Sequence, residues 1–191
     1  MTPGGVSLFP TNETVWVGMP SVSVTNVADL WREAKVRPMA VDEAAEVASW
    51  RYGGDWSVYD LSTSQPLLDN LSSYHAVVNG DKLVGFCCTG VEARIAGMNG
   101  DPAILDVGMG LNPKLVGCGD GARFGETVLQ YLDVHHPGVT LRAVVQSWNE
   151  RSLRLTSRLG FEDAGELIAV QAGQPVTYRI VEKRPSRRDR I

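Results

Sequence analysis

The chain has 191 residues, of which 43% are hydrophobic and 21% charged, and its net charge at pH 7 is -4. This composition is typical of one globular domain with its own core, and no apolar run reaches the roughly 20 residues of a membrane helix. The negative charge argues against nucleic acid as a partner; residues 183–191, with five basic residues and one acid, are interpreted as a solvated tail.

The N-terminal residues and the cysteines indicate the cellular compartment. MTPGGVSLFPTNE has neither the basic segment nor the apolar segment of a secretory signal. The three cysteines, Cys87, Cys88 and Cys118, form no disulfide framework and no metal-ligand spacing. We therefore expect a cytoplasmic protein that binds no metal and does not associate with membranes.

The first third of the chain contains an extension and the start of the domain. Residues 1–34 are rich in Gly, Pro, Ser, Thr and Asn and are predicted to be an N-terminal extension, with a candidate strand at 14–19 (TVWVGM). The domain is predicted to span residues 35–183, with a basic tail at 184–191. It opens with a strand at KVRPMA, a helix over 42–50, an aromatic loop and a short helix over 66–71.

A hairpin follows, because Asn79-Gly80-Asp81 separates two apolar runs at 74–78 and 83–89. The remaining predicted elements are a strand over 104–111, a helix over 122–134, a strand over 139–145, a helix over 150–159, and strands near 166–171 and 176–183. The order β-α-α-β-β-β-α-β-α-β-β predicts an α+β, or mixed α/β, fold around a mixed sheet.

A glycine-rich loop precedes the helix over 122–134. Gly117, Gly119 and Gly121 would let the backbone approach a ligand, and the helix N-terminus after them offers unpaired N–H groups. Together these features form a pyrophosphate cradle, although a structural turn explains the glycines equally well. The loop ends in Gly-Ala-Arg instead of the Gly-Lys-Ser/Thr of a Walker loop, and no acid follows the next strand as dinucleotide binding requires.

Two motifs together resemble the GNAT N-acetyltransferase superfamily. One is Val116-Gly-Cys-Gly-Asp-Gly121 after the strand DVGMGL, and the other is Asn149-Glu-Arg-Ser152 entering a helix that ends Gly160-Phe161. The resemblance covers about residues 35–183. It implies a central mixed sheet in which two parallel strands splay apart, flanked by helices, with acetyl-CoA as co-substrate in the gap.

The resemblance also implies which residues hold the cofactor. The strand backbone at Met109, Gly110 and Leu111 would pair with pantetheine, and Asn149, with Ser152 nearby, would bond the pantetheine arm. An N-cap role is the alternative for Asn149. The pyrophosphate would lie on Val116, Gly117, Cys118, Gly119, Asp120, Gly121 and Ala122.

The catalytic groups are less well defined by the sequence. The family's Gln or Arg is Val116 here, and the position where a tyrosine often protonates the thiolate is Thr156. Asp106, the one acid on strand 104–111, is a candidate base, but period-two alternation turns it to the other face, where a structural role is the alternative. Cys118 lies in the phosphate loop, which favours direct transfer over an acyl-enzyme.

The remaining candidates have structural explanations as well. His135 and His136 are expected to cap a helix end, and His75 to be a packed histidine. Four aromatic residues of the N-terminal half would frame an acceptor or simply pack in the core: Trp50, Trp56, Tyr59 and Tyr74.

The sequence thus favours an N-acetyltransferase that acts on the primary amine of a small molecule or peptide. A catalytically impaired acyl-CoA-binding protein of the same fold and a purely structural module remain as alternatives. A homodimer is also expected, because residues 14–19 could pair with a sheet edge.

Overall fold

A computed structural model describes Trp31 and residues 33–185. The candidate strand at 14–19 lies outside the described residues, as do residues 186–191 of the predicted tail. Trp31 packs edge-on against Phe124 in the core, so the packed domain includes a residue before the predicted boundary at Lys35.

In the described residues, seven strands form one sheet in the order β1-β2-β3-β4-β5-β7-β6. The strands are β1 Lys35–Pro38, β2 Tyr74–Asn79, β3 Lys82–Thr89, β4 Ile104–Leu111, β5 Thr140–Gln146, β6 Glu162–Gln171 and β7 Gln174–Lys183. The helices are α1 Val41–Ser49, α2 Gln65–Asp69, α3 Gly121–His135 and α4 Glu150–Arg158. A short 3-10 segment at Gly54–Tyr59, the 54–59 turn, lies between α1 and α2.

The predicted mixed fold and its order of elements are confirmed. The Asn79-Gly80 hairpin joins β2 to β3, and Gly80 takes the positive φ of 56° that this turn requires. β6 begins at Glu162, four residues before the predicted start. Its first residues are polar because β6 is an edge strand, and a bulge between Asp163 and Gly165 interrupts its register.

Helices cover both faces of the sheet. On one face α3 buries Phe124, Val128 and Leu132 against the inward side chains of the central strands. On the other face α1 and α2 pack Val47 and Leu67 against alternate residues of β2 and β3. The core is therefore split into two apolar layers with the sheet between them.

The centre of the sheet contains its one parallel strand pair, and that pair is short. β4 and β5 align only at Ile104–Asp106 and Thr140–Arg142. Beyond these positions β4 stays with β3 as far as Leu111, while β5 stays with β7 as far as Gln146. The two strands therefore diverge, and a wedge-shaped gap opens between their C-terminal ends, as the sequence predicted.

Candidate active site

The backbone of β4 forms one wall of the gap. Successive residues of a strand direct their N–H and C=O groups to opposite sides, so the part of β4 after Asp106 has polar groups on its β5 side that no strand pairs. Met109, Gly110 and Leu111 belong to this part of β4, and the pairing of their backbone with pantetheine stays a prediction. A Cβ on Gly110 would collide with the ring of Phe86, so packing against that ring favours glycine at this position.

Sequence reasoning missed Tyr52, which contacts the same wall. Its hydroxyl donates a hydrogen bond to the Leu111 carbonyl oxygen at 2.9 Å, across 59 residues of chain. Burial, with a smaller effect from Asp60, raises the pKa of Tyr52 to about 12, so the phenol stays protonated at neutral pH. The hydroxyl hydrogen of Tyr52 is therefore already donated to the Leu111 carbonyl oxygen.

The glycine loop lies between β4 and α3, as predicted. Gly117 and Gly119 have φ of 88° and 91°, which L side chains rarely adopt, and no atom lies within 4 Å of where their Cβ would be. Gly121 opens α3 without a positive φ, and its Cβ would meet Leu155 at an ordinary 3.5 Å. The loop thus leaves open space beside its backbone at the N-terminus of a fifteen-residue helix, which suits an anion.

The other residues of this loop contribute backbone rather than side chains. Asp120 accepts the Phe124 N–H on its carbonyl oxygen, and its side chain makes no capping hydrogen bond. Val116 and Ala122 are apolar and have no side-chain donors for a phosphate. Cys118 is exposed, with its sulfur 3.9 Å from the Lys114 carbonyl oxygen.

Asn149 lies at the end of the opposite wall, directly after β5. The carboxamide oxygen accepts the Ser152 N–H at 3.2 Å, so Asn149 is the N-cap of α4, one of the two roles that the sequence allowed. That contact fixes which end of the amide is oxygen. Its nitrogen therefore faces the Tyr59 hydroxyl and donates to it at 3.1 Å.

Aromatic side chains surround Asn149. Trp56 donates from its indole nitrogen to the Asn149 oxygen at 3.4 Å, and its ring packs edge-on against Trp148. Tyr59 lies tilted against Trp148 with ring centroids 6.4 Å apart. The Arg151 guanidinium lies 4.4 Å from the centre of the Trp56 ring. The 54–59 turn thus crosses from the N-terminal half of the chain to the β5 side of the gap.

The four aromatic residues singled out in the sequence separate into two pairs. Trp50 and Tyr74 are buried and pack around Phe86 in the core. Trp56 and Tyr59 lie at Asn149 instead. Core packing therefore explains Trp50 and Tyr74, while a role beside the acceptor stays a prediction for Trp56 and Tyr59.

A polar cluster that the sequence did not reveal lies where the ends of β5 and β6 meet the middle of β7. The Tyr178 hydroxyl donates to the Gln171 side-chain oxygen at 2.9 Å, and the Gln146 amide nitrogen donates to that oxygen at 2.7 Å. The Trp148 indole donates to the Gln146 oxygen, which links the cluster to the aromatic residues around Asn149.

Asp106 lies at the vertex of the gap, at the last paired position of β4 and β5. Its buried carboxylate accepts from Arg94 Nε at 2.5 Å and from Arg142 Nε at 2.6 Å. Burial raises the pKa of Asp106, but the hydrogen bonds from Arg142 and Arg94 outweigh that effect and hold it below its usual value. Both oxygens are bound, which is the structural role that strand alternation suggested.

Thr156 and the histidines also make local contacts. The Thr156 hydroxyl donates to the Leu153 carbonyl oxygen within α4 at 3.0 Å. Nδ1 of His135 lies 2.8 Å from the Tyr131 carbonyl oxygen at the end of α3, which is the capping position expected of it. His75 packs against Tyr131, and burial together with His135 and His136 lowers its pKa.

Two kinds of feature are absent from the described residues. Nowhere in the described part of the chain do three His, Cys, Asp or Glu side chains group as a metal site requires. No described helix has both the length and the apolar character needed to cross a membrane.

The splayed strand pair, the glycine loop and the following helix characterise the fold, and solved structures identify it. An acetyltransferase of the GNAT family from Bacillus anthracis superposes with a TM-score of 0.64 at 14% identity, over 80% of this chain and 95% of that one. YncA from Salmonella typhimurium, solved with its cofactor acetyl-CoA, gives 0.60 at 13% identity, over 81% and 95%. AAC(6')-Ib, solved with ribostamycin and coenzyme A, gives 0.60 at 17% identity, over 82% and 95%.

The chain therefore has the GNAT acetyltransferase fold. At these identities the likeness is one of fold. No protein-family model matches the sequence. No curated protein is significantly similar to it either.

Proposed function

We propose that this protein is a GNAT N-acetyltransferase that transfers the acetyl group of acetyl-CoA directly to a primary amine of a small molecule or peptide. The observation that carries the proposal is the divergence of β4 and β5 after Asp106 and Arg142, beside a glycine loop that opens α3. Four of the solved structures with this fold contain acetyl-CoA or coenzyme A.

In this proposal, different residues of the gap bind different parts of the cofactor. The backbone of Met109–Leu111, which no strand pairs on its β5 side, accepts pantetheine as an added strand would pair. The N–H groups of the loop from Val116 to Ala122 hold the pyrophosphate, and its open glycines leave room for it. Asn149, with Ser152 beside it, fixes the pantetheine arm near the acyl end.

Direct attack by the amine is supported by the state of the cysteines. Burial raises the pKa of both Cys87 and Cys88 to about 12, so neither is a thiolate near neutral pH. Cys118 is exposed but belongs to the pyrophosphate loop, away from the acyl end. An acyl-cysteine intermediate therefore has no suitable nucleophile among the chain's three cysteines.

The amine must lose a proton before or during attack, and water is the proposed acceptor. Asp106 was the candidate base on β4, but Arg94 and Arg142 occupy both of its oxygens. A carboxylate so engaged is a poor proton acceptor, because binding a proton would break a buried ion pair. We therefore assign Asp106 to the structure of the gap.

A second candidate function is an acyl-CoA-binding protein of the same fold with impaired catalysis. It is favoured by Thr156, whose hydroxyl is committed to the Leu153 carbonyl, and by the engaged Asp106. Consumption of acetyl-CoA with a panel of primary amines distinguishes the two candidates, because the impaired protein would bind acetyl-CoA without turnover.

Binding of coenzyme A tests both candidates together. At 100 times its dissociation constant, CoA should raise the melting temperature by roughly 5–10 °C, because it stabilises only the folded state. Gly121→Glu should abolish this shift by placing a negative side chain in the pyrophosphate site. Gly121→Ala is the matched control and should keep the shift, since its Cβ makes only an ordinary contact with Leu155. A Glu variant that binds CoA like the parent would refute the loop assignment.

A further inference from the structure

Acetyl transfer expels coenzyme A as a thiolate, which needs a proton donor. This chain has no phenol on α4, and the Thr156 hydroxyl already donates to the Leu153 carbonyl oxygen at 3.0 Å. A donor must therefore come from another element. This need for a proton donor rests on the proposed function.

The chain's five tyrosines all lie in described segments, and the hydroxyls of three of them donate hydrogen bonds within the protein. Tyr52 donates to the Leu111 carbonyl, Tyr74 to Glu92, and Tyr178 to the Gln171 side chain. Each of these hydroxyl hydrogens is already bound to an acceptor within the protein. Using one of them for proton transfer would break a contact that the fold makes.

Tyr131 is excluded by its position. It lies ten residues into α3 from Gly121, a rise of about 15 Å along the helix. It also packs between His75 and His135 near the far end of α3. This tyrosine is therefore remote from the loop that opens the helix and from the gap beside it.

Tyr59 differs from the other four in its hydrogen bonding. Its oxygen accepts from the Asn149 amide nitrogen at 3.1 Å, and its own hydrogen has no acceptor among the described residues, so that hydrogen is available to a ligand. The 54–59 turn and the packing of the ring against Trp148 hold it at the residue assigned to the pantetheine arm. Tyr59 is also 40% exposed, so solvent can exchange protons with it.

The protonation state of Tyr59 suits a donor. Burial raises its pKa above the ordinary value for tyrosine and Tyr178 adds to that, while the Asn149 hydrogen bond opposes it. The charged groups around this aromatic cluster are Arg151, whose guanidinium lies 4.4 Å from the centre of the Trp56 ring, and Asp60, which follows Tyr59 in the chain. Tyr59 is therefore a neutral phenol at physiological pH.

We propose that Tyr59 is the acid that protonates the departing coenzyme A thiolate. As the amine nitrogen bonds to the carbonyl carbon, the carbon–sulfur bond breaks and its electron pair stays on sulfur. Tyr59 gives its hydroxyl proton to that sulfur. The amine loses its extra proton to water, and water restores the proton of Tyr59, so charge and atoms balance. Asn149 positions the phenol by donating to its oxygen and stabilises the transient phenolate.

The thiol of bound coenzyme A gives a test that needs no acceptor. A phenol that donates to sulfur stabilises the thiolate, so the pKa of the bound CoA thiol should lie about one to two pH units below that of free CoA. The pKa is measured from thiolate absorbance against pH, with desulfo-CoA bound as the reference. That reference fills the same site without a thiol and cancels the protein's own cysteines.

Two variants separate Tyr59 from its surroundings. Tyr59→Phe keeps the ring against Trp148 but removes the donor, so the bound thiol should titrate close to free CoA while CoA affinity at neutral pH is retained. Tyr131→Phe removes a hydroxyl near the far end of α3, remote from the gap, and should leave the bound thiol as in the parent.

The outcomes are distinguishable. Equal thiol pKa values in the parent and Tyr59→Phe would overturn the role of Tyr59 and leave the proposed function intact. If Tyr59→Phe did not fold, the parent alone would decide, because a bound thiol that titrates like free CoA refutes the proposal. If neither CoA nor desulfo-CoA bound the parent, the proposed function itself would fail.

Discussion

Asp106 contributes to stability through two guanidinium groups at once, and its removal would affect both. In Asp106→Asn the buried Arg142 and the half-buried Arg94 lose their counter-charge. We expect the free energy of unfolding in urea to fall by about 3–5 kcal/mol, as for other broken buried ion pairs. Asp133→Asn, at an exposed position of α3, is the control and should unfold like the parent.

The pH dependence of stability at Asp106 has a definite sign. Because its folded pKa is lowered, the ion pair stabilises the fold above the unfolded carboxyl value near ~3.9, and the contribution is lost as pH falls toward the folded value. The Asn variant should lack this acid-side loss. Unchanged stability, with a lost alkaline limb of activity, would instead make Asp106 the catalytic base.

Single residues also show where sequence reasoning stops. The motif around Asn149 allowed a helix cap, which the structure shows, while its place beside the cofactor stays a prediction. Its contacts with Trp56 and Tyr59, 93 and 90 residues earlier, could not be predicted, because they depend on how the two ends of the sheet meet. Alternation along β4 did indicate the direction of Asp106, but not the arginines that meet it.

At the scale of elements, the glycine loop supports a comparison between neighbours. Gly119→Ala forces a side chain into φ of 91° and should destabilise the fold by about 1–3 kcal/mol and weaken CoA binding. Gly121→Ala, two residues later, is free of that strain and should keep both properties. The comparison uses thermal unfolding and calorimetric titration with CoA. Equal behaviour of the two variants would show that the loop's backbone shape does not matter for the cofactor.

The elements themselves were predictable where local signals are strong. Apolar period and turn residues located β4, α3 and the β2–β3 hairpin to within about a residue. The start of β6 was missed because its residues Glu162–Gly165 are exposed and bulged and include no large apolar side chain, so only pairing with β7 makes them a strand. The 54–59 turn had no periodicity to reveal where it would dock.

At the scale of the whole molecule, the sheet ends in two edge strands. β1 is one edge and β6 the other, and β6 presents exposed Ile168 and Val170. Such edges favour pairing with another chain, so we expect a homodimer. Light scattering of the full chain and of a chain lacking residues 1–29, which keeps Trp31, checks this expectation. A monomer at all concentrations in both would remove it.

The short β4–β5 contact separates two consecutive stretches of the chain. Strands β1–β4 come entirely from residues before 112, and β5–β7 entirely from residues after 139, so each side of the gap is a consecutive stretch of chain with its own antiparallel ladder. Strand pairing between the two stretches is limited to three residue pairs, and the segment containing α3 is the covalent link between them. Insertions or deletions within one stretch can therefore change the shape of one wall of the gap without changing the strand register in the other stretch.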